Sequence, residues 1–105
     1  MTFRVFVTPN AEADLRRARA FIQKDSRAAA SRWLQAARRA VQTLARNPMR
    51  CPLAPESAVF NEPIRELLFG RGNRGTYRML FVVIDTTVYV LHVRYGSRDT
   101  AESFE

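Results

Sequence analysis

The sequence predicts an α+β fold of order β-α-α-β-β-β, a helical hairpin packed on one face of a mostly antiparallel four-stranded sheet. Three observations predict it. Apolar residues alternate in the opening "TFRVFV", two amphipathic stripes follow one another between Pro9 and Leu44, and three strand-like runs separated by turn residues fill Ile64 to Tyr95. The 105 residues hold one core, so residues 1–105 form a single domain.

In "TFRVFV", Phe3, Val5 and Val7 share one face, and Thr2, Arg4 and Phe6 the other. Thr8 and Pro9 then start a helix: the Thr8 hydroxyl caps it, and Pro9 occupies the first helical position, where a missing N–H costs nothing. Glu12 and Asp14 suit the positive end of that helix. Ala11, Leu15, Ala18 and Ile22 recur at helical spacing, with Arg16, Arg17 and Lys24 toward solvent. Ser26 caps a second helix whose stripe runs through Ala30, Trp33, Leu34, Ala37, Val41 and Leu44, until Asn47 and Pro48 end it. The linker of about two residues makes the pair antiparallel. "NPMRCPLAPE", with three prolines, reads as an extended segment crossing back to the sheet.

The remaining runs, "IRELLF" from Ile64, "TYRMLFVVI" from Thr76 and "TVYVLHVRY" from Thr87, form a meander with turns at "GRGNRG" and at Asp85–Thr86. Strict alternation groups Tyr77, Met79, Phe81 and Val83 as core, and Arg78 with Leu80, Val82 and Ile84 on the other face. In the last strand it groups Val88, Val90, His92 and Arg94. Arg78, His92 and Arg94 are therefore expected on the face away from the helices, with Arg65 and Arg98 at its rim, the latter swung in by the bend at Gly96. Arg65, Arg78, Arg94 and Arg98 would make an anion-binding surface for a phosphate run or an acidic peptide. Glu66 is expected to pair with an arginine of the neighbouring strand.

Seventeen basic against ten acidic side chains give a formal charge of +7, which suits nucleic acid or an acidic protein partner. Lys24 is the one lysine, so the positive charge is carried by planar, bidentate guanidinium groups. Cys51 is the lone cysteine, which excludes an internal disulfide and fits a reducing cytoplasm. The longest apolar run, Met79 to Ile84, falls far short of the roughly 20 residues of a membrane span, and no membrane partner is expected. No phosphate loop, dinucleotide fingerprint, hydrolase elbow or metal-ligand set is present, so no cofactor and no metal are expected. His92 is the one histidine and has the intrinsic pKa for proton transfer, yet no carboxylate has an obvious route to orient it, and packing is the plainer role.

The opening "VFVTPNAEADL", the tryptophan helix ending "LARNPMRCPLAPE", then "IRELLFG", "TYRMLF" and "VYVLHVRYGSRD" resemble, in order and spacing, the RelE/ParE superfamily of type II toxin–antitoxin toxins. The resemblance implies a toxin silenced by a cognate antitoxin, expected to be acidic, that wraps the helices and the sheet. It also implies one of two targets: the ribosome and its messenger RNA, which RelE-like members cleave, or DNA gyrase, which ParE-like members poison. In the nuclease branch Arg78 and Arg98 match arginines that stabilise phosphate charge, and His92 or Tyr95 would have to supply proton transfer. The lysines of that branch are absent from "IREL", and its tyrosine beyond Arg98 is Phe104 here, which exchanges no proton. With the proton-transfer groups incomplete, the expectation leans to the gyrase-poison branch. The alternatives are a ribosome-dependent endoribonuclease and a non-toxic domain that binds nucleic acid or a partner.

Overall fold

The computed structural model describes residues 2–61, 63–70 and 76–96. Strand β1 (Arg4–Val7) leads into helix α1 (Pro9–Gln23), capped as expected: the Thr8 hydroxyl accepts from the Ala11 N–H, and Pro9 opens the helix. Ser26 caps α2 (Arg27–Thr43) by accepting from the Ala29 N–H at 3.1 Å. Strands β2 (Arg65–Phe69), β3 (Tyr77–Ile84) and β4 (Thr87–Tyr95) complete a sheet of order β1-β4-β3-β2, in which only the β1–β4 pair is parallel. The α+β architecture is the predicted one.

The main core lies between the helices and one sheet face. Ala11, Ala30 and Ala37 bring the helices close, and Leu15, Ile22, Trp33 and Leu44 pack against Met79, Phe81, Val88 and Val90. Phe3, Val5 and Val7 border this core, as the alternation of the first strand requires.

Two features depart from the sequence reading. The segment after α2 is not simply extended: it forms a 3-10 turn at Pro48–Arg50 and a short helix α3 (Glu56–Phe60). Its prolines permit this because Pro48 opens the 3-10 turn and Pro55 precedes α3, positions where no intrahelical N–H is needed. This strap lies over the second face of the sheet. Ala54 joins Ile64 and Leu80 in a separate core bordered by Phe60 and Val82, and the Ala54 N–H donates to the Ile64 carbonyl at 2.7 Å. The face expected to be open is thus covered over β2 and part of β3.

The second departure is a β-bulge. The register passes from Phe81 opposite Val90 to Leu80 opposite His92, leaving Leu91 without a partner. One extra residue reverses the alternation along β4, so Val88, Val90 and Val93 all join the helix-side core. The expected grouping of His92 and Arg94 with Val88 and Val90 is corrected accordingly. The start of α1 sits on the bulge: the Thr8 hydroxyl donates to the Val90 carbonyl at 2.8 Å, and the Thr8 N–H to the same carbonyl at 3.0 Å.

Candidate functional site

Arg78 of β3 is fully buried. Its Nη1 and Nη2 donate to Glu56 Oε2 and Oε1 at 2.9 and 2.6 Å, a bidentate fork, and its Nε donates to Glu66 Oε1 at 2.9 Å. Glu66 stands one strand away on β2, opposite Leu80, and so meets the expectation that it pairs with a neighbouring-strand arginine. Glu56 comes from α3, so the strap is fastened to the sheet through this guanidinium. Burial by itself would lower the pKa of Arg78, but the hydrogen bonds and charges of Glu56 and Glu66 outweigh it and hold the group above its ordinary value. Arg78 therefore does not stand on an open surface as expected: its Nε, Nη1 and Nη2 point at two buried carboxylates.

His92 is also buried, and a carboxylate does orient it. Asp14 of α1 accepts through Oδ2 from His92 Nδ1 and from the Val93 N–H, both at 2.9 Å, while its Oδ1 accepts from Arg17. An ionised carboxylate only accepts, so with Asp14 charged the proton of this bond sits on Nδ1. β1 pairs with β4 only as far as Val90, and Asp14 satisfies the backbone donor at Val93 just beyond. The signal was in the sequence: Asp14 lies on the apolar stripe of Ala11, Leu15, Ala18 and Ile22, where an acid is out of place unless it has a buried partner. Its place near the start of α1, where an acid also suits the helix end, masks that signal.

The four expected arginines do not form one surface among the described residues. Arg78 and Arg94 are cross-strand neighbours, as anticipated, but one is buried in its carboxylate cage. Arg65, half-buried on β2, donates to the Cys51 and Met49 carbonyls at 2.7 and 3.4 Å and so ties down the strap. Arg98 lies outside the described residues. Arg94 is half-buried and lines a cleft of about 650 Å³ between α1 and the end of β4, together with Asp14, Arg17, Phe21, Tyr77 and Tyr95. Phe21 and Tyr95 are 66% and 64% exposed. Aromatic walls beside two arginines suit an apolar peptide segment bearing carboxylates. Among the described residues no group of His, Cys, Asp and Glu side chains is arranged to hold a metal ion, and no helix is long and apolar enough to cross a membrane.

A family model described as the ParE toxin of the type II toxin–antitoxin system parDE matches residues 5–100. No curated protein sequence matches the chain. Among solved structures, the chain is similar to one in the toxin–antitoxin complex RelBE2 from Mycobacterium tuberculosis, at 27% identity over 91% of this chain and 100% of that one, with a TM-score of 0.49.

Proposed function

The chain belongs to the ParE toxins of type II toxin–antitoxin systems, and on that premise we propose that it arrests growth by binding DNA gyrase and is neutralised by a cognate acidic antitoxin. The observation that carries this reading is the caging of Arg78. Cleaving RNA through a ribose 2′-hydroxyl needs a base for the nucleophile, an acid for the leaving oxygen, and positive charge beside the phosphate. Arg78, matched to the charge-stabilising residue, spends its donors on Glu56 and Glu66 behind the strap. His92, the one imidazole, is buried and bonded to Asp14. Both are buried and bonded internally, which supports the binding reading, since recognition of a protein requires no such constellation.

The cleft lined by Arg17, Phe21, Arg94 and Tyr95, with the net charge of +7, supports an antitoxin whose docking segment is apolar and acidic. The test combines two assays. Purified chain is titrated into a gyrase supercoiling reaction, and RNA ends are mapped on translated messages after induction in growing cells. Loss of supercoiling with intact messages is the expected result. Codon-positioned cuts without gyrase inhibition would establish the ribonuclease reading instead.

A further inference from the structure

The strap leaves part of the outer sheet face uncovered, and the register shows what lies there. Phe6 on β1 is paired with Tyr89 on β4, which is paired with Val82 on β3; the neighbouring rank is Arg4, Thr87 and Ile84. All six stand on the face away from the helices, because the residues alternating with them, Val5, Val7, Val83, Val88 and Val90, belong to the helix-side core. Phe6 is 51% exposed and packs edge-on against Tyr89 with ring centroids 5.9 Å apart, and Ile84 is 57% exposed. Arg4 is exposed and makes no ion pair among the described residues. Two ranks across three strands thus form a continuous aromatic and aliphatic platform with an uncommitted guanidinium at one corner.

From this we infer that the Arg4–Phe6–Ile84–Tyr89 platform is the surface by which the chain holds its target, a protein presenting an apolar face flanked by a carboxylate for Arg4. The inference rests on the reading above that the chain acts on a protein, and adds where it does so. Exposed aromatic residues beside an arginine on a rigid sheet are the chemistry that concentrates binding energy at protein interfaces. An RNA strand stacked on Phe6 and Tyr89 would need cations along its backbone. Arg4 is the one basic side chain in these two ranks, the β3–β4 turn beside them carries Asp85, and exposed arginines such as Arg16, Arg32 and Arg39 lie on the helices across the sheet. The charge pattern therefore favours an apolar protein face carrying a carboxylate opposite Arg4 over a polyanion.

The test uses the full chain with Arg4→Glu, Ile84→Asp and Phe6→Ser, reading growth arrest on induction, antitoxin affinity and thermal unfolding. Each variant is expected to need at least about tenfold more protein for the same arrest while binding antitoxin like the parent. Arg4→Glu changes an exposed side chain and Ile84→Asp one that is 57% exposed, so these two decide the matter if Phe6→Ser unfolds. Unchanged arrest with Arg4→Glu and Ile84→Asp overturns the inference, as does a loss confined to antitoxin binding. Weaker binding of a single-stranded RNA probe by Arg4→Glu, with cut messages in the parent, would make the occupant nucleic acid and overturn it too. A parent that leaves gyrase active while the variants lose arrest sinks the gyrase reading and leaves the platform standing for another protein. A parent that leaves growth unaffected sinks both.

Discussion

Replacing Arg78 by methionine keeps most of the aliphatic volume and deletes the cation between two carboxylates. Glu56 and Glu66 accept from the same guanidinium at 2.6 to 2.9 Å, and all three side chains are essentially excluded from solvent. Without Arg78 the two acids either remain charged against each other or take up protons, and both routes cost folding energy. Removing one partner from a buried ion pair costs about 3–5 kcal/mol. Total stability for a domain of this size is roughly 5–15 kcal/mol, so the variant approaches the unfolding threshold. At about 4 °C per kcal/mol, the melting temperature falls by roughly 12–20 °C. Urea denaturation followed by Trp33 fluorescence measures the same loss as a lower midpoint with an unchanged slope. The triple variant Arg78→Met, Glu56→Leu, Glu66→Leu should recover most of it, because an apolar set of similar volume replaces a buried ionic triad at little net cost. An Arg78→Met variant within about 1 kcal/mol of the parent would refute the cage, since that is how an exposed strand arginine behaves.

Asp14→Ala strands the Val93 N–H and His92 Nδ1 in a buried site and is expected to cost about 2–4 kcal/mol in urea denaturation, whereas Asp14→Asn, which keeps an acceptor for Val93, costs less. Equal losses for the two variants would mean that the carboxylate's acceptor geometry is immaterial. Gly70→Ala is expected to cost about 1–2 kcal/mol: the backbone sits at φ +74°, while an added Cβ meets Trp33 Nε1 and Tyr77 Cδ1 at an ordinary 3.5 Å, so the penalty is conformational and not steric. Burial raises the thiol pKa of Cys51 above its ordinary 9.0 against the lowering influence of Arg50 and Arg65. The folded chain therefore keeps this proton where the unfolded chain loses it; the stabilising contribution is complete below the unfolded pKa and is lost as pH rises through the folded one. Iodoacetamide at about pH 8 should alkylate Cys51 slowly in the native protein and fast in urea, and rapid native labelling would show the thiol to be accessible.

What the sequence determined by itself was local. Thr8 and Ser26 mark the helix starts because a cap needs only a side-chain oxygen and the next turn of backbone, and the apolar periods place α1, α2 and the four strands because burial on one side imposes them. The pairing of Glu66 with a neighbouring-strand arginine was legible for the same reason, since adjacent strands set charges opposite one another. Beyond that pair and the out-of-place acid at Asp14, the candidate site was not legible, because its deciding features depend on how whole segments register and pack against one another. A single unpaired residue at Leu91 turned the parity of β4, Asp14 reached His92 across 78 positions, and Glu56 closed over Arg78 from a strap read as extended. Composition counts an arginine as a free cation. Only the packed molecule shows which guanidinium groups have exchanged water for an internal carboxylate, as Arg78 has, and which, like Arg4, still face outward, because that exchange depends on what the rest of the chain brings within about 3 Å.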